Sequence, residues 1–225
     1  MIIVIGAGAQ LAQDYINNIG DEPTILISRK KEPQFQVRTN FEWVGSDYTD
    51  HEQLIENLRK HELSQIKLIW FSSPFPRELL LKASAEMISS TVSSGVLFPI
   101  YVTQFLVGKM ILENFGRIVF IGSKLAELGD TGSSLYSTVK GAQLAFSRSL
   151  AAEYGRFGIT SNVLSLGPTS SGLAENLSEN RVLEYIQRTF NKEFIHTQGI
   201  TNSINFLLEN QDVNGMVLNL DAGLR

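Results

Sequence analysis

The sequence predicts a doubly wound α/β fold: a parallel sheet of about seven strands with helices on both faces. Three observations carry this. Short β-branched runs alternate with helix-length segments along the whole chain. Most of these runs are continuously apolar instead of alternating, which implies burial on both faces. The first run ends in a glycine turn that opens directly into a helix pattern.

That first strand is MIIVI, followed by GAGAQLAQDYINNIG, with Gly6 and Gly8 in the turn and Leu11, Tyr15, Ile16 and Ile19 on one helix face. In such a strand–turn–helix, glycines let the backbone approach a pyrophosphate, and the helix's free N–H groups and positive end stabilise the phosphate charge. Gly6, Gly8, Ala9, Gln10 and Leu11 are therefore candidate dinucleotide contacts. Gln10, Leu11 and Ala12 occupy the positions open to a third glycine. A plain tight turn is the alternative reading.

The second strand, TILIS, runs into Ser28, Arg29 and Lys30. A carboxylate there would accept the ribose hydroxyls of NAD; hydroxyl and cationic donors suit a 2′-phosphate, so the expected cofactor is NADP, with NAD as the alternative. A solvated basic loop is the bland reading. FEWVG is the third strand and IKLIWF the fourth. Residues 87–112 then read as an apolar helix packed on the sheet, with Gly95 and Pro99 as irregularities. Its most apolar stretch, VLFPIYVTQFLV, is too short to span a bilayer and contains Pro99.

RIVFIG is the fifth strand, and Ser123 and the loop KLAELGDTGSS follow it. The helix beyond has Leu135, Val139, Ala142, Phe146 and Leu150 at spacings of four and three, which predicts its inner stripe. Tyr136 and Lys140, four apart, lie beside each other on a neighbouring face. ITSNVLS is the sixth strand. Residues 172–200 turn polar and read as one or two exposed helices, and GMVLNL is the seventh strand.

A length of 225 residues fits one domain, 1–225, and neither a repeat nor a linker divides it. With 43% hydrophobic and 19% charged residues and a net charge of -4, the chain carries no electrostatic footprint for nucleic acid or an anionic membrane. Small molecules are the expected partners. Cysteine is absent, which excludes disulfides, thiolate metal sites and a cysteine nucleophile. The three histidines, His51, His61 and His196, are not at ligand spacing, so no metal site is expected. The start lacks the basic segment of a signal peptide, and a cytoplasmic location is the expectation.

Taken together, these motifs make the chain resemble the short-chain dehydrogenase/reductase family over nearly its whole length. The family's Tyr-x-x-x-Lys matches Tyr136 and Lys140, and its catalytic serine matches Ser123 at the usual separation. GRFGITSNVLSLGPTSSG is similar to the family's sixth strand and its Pro-Gly turn, with Leu166 where proline is usual. NGMVLNLDAGL is similar to its C-terminal strand, with Ala222 replacing a glycine. The resemblance implies that Asp47 holds the adenine amino group. It also places Tyr48, Ser72, Ser73, Gly167, Pro168, Thr169 and Ser171 at the cofactor.

What the resemblance implies chemically is carbonyl reduction on a nicotinamide cofactor. Tyr136 would be the general acid, Ser123 would hold the carbonyl oxygen, and Lys140 would bind the nicotinamide ribose while its charge favours tyrosinate. Bringing a tyrosine from about 10 to about 7 needs roughly 4 kcal/mol. The substrate is expected to be a small carbonyl compound or alcohol, contacted by the loop after Ser123 and by residues 172–200 acting as a lid.

The chain departs from the family at three places. Two glycines of the first turn are replaced, Ser72, Ser73 and Pro74 stand after the fourth strand where Asn-Asn-Ala-Gly is usual, and Val92 stands where an asparagine completes the catalytic tetrad. The last departure predicts slower turnover or a substitute water path through Ser93, Ser94 or Ser72. A sugar-nucleotide epimerase or dehydratase, and a non-catalytic NAD(P)-binding sensor or scaffold, are the alternative functions. Apolar surplus on the fourth and fifth helices, which pair between subunits in the family, predicts a homodimer or homotetramer.

Overall fold

The computed structural model describes residues 1–29, 38–71, 74–170 and 179–225. Lys30, Ser72, Ser73, Ser171 and residues 172–178 of the expected lid lie outside the described residues. The strands are β1 (Ile2–Ile5), β2 (Thr24–Ser28), β3 (Phe41–Gly45), β4 (Lys67–Trp70), β5 (Gly116–Ser123), β6 (Ile159–Leu166) and β7 (Val217–Leu220). All pair in parallel, in the order β3-β2-β1-β4-β5-β6-β7. Strand direction of growth reverses between β1 and β4, and in open parallel sheets the crevice at that switch point, beyond the carboxyl ends, takes ligands.

The continuously apolar reading holds for the central strands, since every residue of β1, β2, β5 and β6 is buried. It fails at the edges: β3 and β7 each have a neighbour on one side only, β3 burying only Val44 and β7 no residue fully. Within each strand the side chains still alternate between two cores. Ile3, Ile5, Leu68, Trp70, Ile118 and Phe120 face one, and Ile2, Val4, Ile69, Val119 and Ile121 face the other.

Five helical elements cover the first core and its rim: α2 (His51–Leu58), α3 (Ala85–Val92), α4 (Phe98–Glu113), the short α5 (Leu125–Leu128) and α6 (Ser134–Tyr154). The second core lies under α1 (Gln10–Ile16) and α8 (Thr197–Glu209). α7 (Glu179–Arg188) lies between β6 and α8 in the chain. The segment expected to be exposed from 172 to 200 thus ends inside α8. This helix buries Ile200, Ile204, Leu207 and Leu208, so the exposed reading is corrected there.

The apolar run at 96–107 belongs to a continuous helix, Ala85–Glu113, which by length and composition could cross a membrane. It is the apolar helix expected over residues 87–112, and it packs on the sheet. Its buried side lies on the sheet through Phe98, Val102, Leu106 and Met110. Between α3 and α4 the residues Ser93–Leu97 form a π turn. The wider turn accommodates Pro99, which has no N–H to donate and sits in the first turn of α4.

Gly95 in this π turn faces Val139 of α6. A Cβ on Gly95 would lie 2.6 Å from a Val139 methyl carbon, so the two helices approach closer than any larger residue permits. Gly95→Ala should therefore cost about 1–3 kcal/mol of stability through overpacking, read as a lower urea midpoint with an unchanged slope.

Candidate active site

Seven carboxyl ends on one edge of the sheet bring together residues far apart in sequence. Ser123 is the last residue of β5, and Tyr136 and Lys140 lie in the first two turns of α6. All three are buried, at 9%, 8% and 4% exposure. The buried stripe of α6 is Tyr136, Val139, Lys140, Gln143, Ser147 and Leu150. Tyr136 and Lys140 thus belong to the inner face and not to a neighbouring one, while Leu135 and Ala142 are only half-buried.

The Ser123 hydroxyl is close enough to the Tyr136 phenol to favour its ionised form, and its oxygen accepts from the Leu125 amide at 3.3 Å. Burial raises the Tyr136 pKa, and the Ser123 contact opposes this only in part. Lys140 Nζ lies 5.8 Å from the Tyr136 ring centroid. Burial pushes its ammonium down to about 7. Removing an ammonium from water costs several kcal/mol, more than one or two hydrogen bonds return, so its proton is held loosely. In the chain by itself, burial keeps the phenol protonated and loosens the lysine's proton.

Beside Ser123 lies a narrow pocket with room of about 30 Å³, lined among others by Leu125, Leu166, Gly167, Pro168, Tyr185 and Leu224. Lys124 on its rim pairs with Glu127 at 2.7 Å and Asp221 at 3.4 Å. Ala222, in the glycine position, takes the left-handed φ of 52°, and its carbonyl accepts the Phe190 amide at 2.9 Å. That turn carries Leu224 into the pocket wall. Tyr136 is not part of this lining: the Phe75 ring meets it edge-on, with centroids 4.5 Å apart. Phe75, unmarked by any motif, follows the Pro74 that replaces the usual sequence and packs against the cluster of Leu125, Tyr136, Tyr185 and Leu224.

Three segments around the pocket are tied by one carboxylate. Asp130, in the loop before α6, is 11% exposed. It pairs with Arg77 at 3.0 Å and with Arg181 of α7 at 2.9 Å, and it accepts from the Tyr185 hydroxyl. Burial raises the Asp130 pKa, but Tyr185, the Thr131 amide and Arg181 outweigh it and hold the carboxyl below its ordinary range. The Tyr185 hydroxyl is pushed up to about 12 by the same burial and contact.

The residues expected at the adenosine end also gather. Arg29, Asp47, Tyr48 and Thr49 line a second pocket with Pro74, Ser90, Thr91 and Ser94. The Arg29 guanidinium lies over the Tyr48 ring at 5.7 Å, and Tyr48 donates to the Ile27 carbonyl at 3.3 Å. Asp47 Oδ1 accepts from the Thr49 amide at 3.1 Å and the Thr49 hydroxyl at 3.0 Å. Ser28 is buried beneath Gly8, with its hydroxyl 3.2 Å from where a Cβ on Gly8 would lie, so it sits against the glycine turn. Leu11 packs into the core under α1, so only its backbone is available. Gly8, Ala9 and Gln10 are exposed at the end of β1, Gly6 is buried there with φ 91°, and no side chain caps α1. Gly167 and Pro168 lie at the end of β6. Thr169 is buried and bridges to Ile195.

This edge fits a dinucleotide. It offers a glycine turn in which a Cβ on Gly8 would press on Ser28, an arginine beside an aromatic ring, and a buried ammonium 5.8 Å from the Tyr136 ring. Ser94, one of the residues expected to replace the missing asparagine, donates its hydroxyl to the Ser90 carbonyl at 2.7 Å. The residue that does reach Lys140 is Gln143, at 3.2 Å. Its signal in the sequence is an amide three residues beyond the lysine on an otherwise small and apolar helix.

The family model described as enoyl-(acyl carrier protein) reductase matches residues 46–225. A 3-oxoacyl-(acyl-carrier-protein) reductase of Homo sapiens is 29% identical over 177 residues, which are 78% of this chain and 73% of that protein. Carbonyl reductase family member 4 of Xenopus laevis is 27% identical over 225 residues, 100% of this chain and 87% of that protein. The solved structure of ElxO with NADP bound shares the fold, with a TM-score of 0.86 at 19% identity over 99% of this chain and 97% of that one.

Asp130→Asn should lower stability at pH 7 by about 1.5–3 kcal/mol, the contribution of hydrogen bonds to a charged group. A carboxyl whose folded pKa is depressed stabilises fully above its unfolded pKa and loses that contribution as pH falls through the folded one. The gap between wild type and variant should accordingly be full at pH 7 and close below about pH 4 in urea melts.

Proposed function

Because the chain belongs to the short-chain dehydrogenase/reductase family of NAD(P)-dependent oxidoreductases, we propose that it is an NADP-dependent ketoreductase acting on an apolar carbonyl compound. The observation that carries this is the buried Ser123, Tyr136 and Lys140 constellation beside an apolar pocket. A bound nicotinamide supplies the hydride when a ketone is reduced. Ser123 then holds the carbonyl oxygen and Tyr136 gives it a proton. Lys140 orients the nicotinamide ribose and, while protonated, stabilises the tyrosinate left behind.

The lining by Leu125, Leu166, Val182, Phe194 and Leu224 supports an apolar substrate. Val182, Tyr185 and Phe194 come from the polar segment before α8, which supports a lid role for it. Arg29 supports NADP over NAD. The exposed Leu97, Tyr101 and Leu112 on and beside α4 support a homodimer or homotetramer, and the lack of cysteine is compatible with a cytoplasmic setting. Phe75, packed on Tyr136, favours one second reading, a nucleotide-binding sensor without turnover.

Two experiments test this. NADPH consumption with a panel of apolar ketones should fall by about 10²–10⁴-fold in Tyr136→Phe while calorimetric NADPH affinity is retained. Binding without turnover across the panel in the wild type would favour the sensor, and unchanged reduction in the variant would overturn the mechanism. Arg29→Ala should weaken NADPH binding by about 10- to 100-fold and leave NADH binding within about threefold, the difference expected for losing a charge-assisted contact to phosphate.

A further inference from the structure

A lysine ammonium has three N–H donors, and buried Lys140 uses two of them inside the protein. One goes to the Ile121 carbonyl of β5 at 2.7 Å, and another to Gln143 Oε1, one turn on along α6, at 3.2 Å. Gln143 is itself 3% exposed, and its Nε2 donates to the Gly95 carbonyl in the π turn at 3.0 Å. An ammonium cannot accept and a carbonyl cannot donate, so the two partners determine which end of the amide is oxygen. The close approach at Gly95 makes this bridge possible, since a side chain there would drive α6 away. Val92, the residue standing in for the tetrad asparagine, has no polar atom to join it.

We infer that Gln143 is the positioning residue of Lys140: a buried amide strut, anchored on the Gly95 carbonyl, that aims the ammonium and governs how readily it keeps its proton. This rests on the ketoreductase reading for its role in catalysis, but not for the coupling itself. The strut turns its oxygen to the cation, which favours the protonated lysine against burial. An amide neither gives nor takes a proton at neutral pH, so Gln143 aims and does not relay. The strut is separate from the expected water path through Ser93, Ser94 or Ser72, which concerns proton supply. It leaves Lys140 one donor for the ribose of a bound cofactor.

The groups facing the ammonium among the described residues are Tyr136 and Gln143 from α6, the Ile121 carbonyl from β5 and, through Gln143, the Gly95 carbonyl from the π turn. Tyr136 is the one that titrates, and burial holds its titration above its ordinary range. A change in the lysine midpoint on altering Gln143 therefore reports the strut.

The test is a carbon NMR titration of the cofactor-free protein labelled at the lysine ε-carbons, with the Lys140 signal assigned by its loss in Lys140→Arg. Gln143→Met keeps the length and removes both polar atoms. It should lower the Lys140 midpoint by about one pH unit and weaken NADPH binding by about tenfold, the loss of one hydrogen bond to a charged group. Gln143→Glu keeps an acceptor and adds a charge, and should raise the midpoint by about 1–3 pH units. If Gln143→Met does not fold, the upward movement in Gln143→Glu decides. A midpoint that stays in place in every folded variant overturns the proposal, even if stability falls. Calorimetry on the wild type keeps the two readings apart: no NADPH binding would remove the ketoreductase, while the lysine titration would still judge Gln143.

Discussion

A parallel sheet cannot be closed by hairpins, because each strand must be followed by a crossover that carries the chain back to the same end. That constraint organises this protein. Seven strands running one way gather every strand-to-helix connection on a single edge. The glycine turn after β1, Arg29 after β2, Asp47 after β3, Ser123 at the end of β5 and Gly167 after β6 meet there without any local sequence relation among them. The reversal of strand order between β1 and β4 opens the cleft into which they face.

The same architecture forces a charge into a dry place. α6 lies on the sheet with Lys140 on its buried stripe, so the ammonium must be served by fixed dipoles instead of water. Three elements supply or hold these dipoles: β5 through Ile121, α6 through Gln143, and the π turn through Gly95. The π turn is thereby more than an irregularity forced by Pro99. It brings a carbonyl to the one place where the helix opposite has an amide to receive it.

Much of this was legible in the sequence, and the failures share a cause. The buried strands announce themselves as unbroken apolar runs, and the spacing of Ser123, Tyr136 and Lys140 survives because strand and helix geometry set it. The inner stripe of α6 departs from the apolar pattern because it buries Lys140, Gln143 and Ser147. These are tolerated because each has a partner, Ser147 sharing a hydrogen bond with Ser161 of β6 at 2.8 Å. The edge strands and α8 were misjudged for the related reason that burial there depends on neighbours brought in from elsewhere. The Phe75 contact with Tyr136 and the Asp130 cluster join residues more than 50 positions apart, and nothing local encodes them.

The Asp130 cluster bears on which molecules the pocket can accept. It joins the segment after β4, the loop before α6 and the helix α7, whose Val182 and Tyr185 form part of the pocket wall. A guest too wide for the space as it stands must separate at least one of these contacts, and that separation is subtracted from whatever affinity its own surface provides. Compact guests would enter with the wall intact. Bulkier ones would have to bring enough apolar area to offset the opening, so such a wall would discriminate by a threshold in buried area as well as by shape.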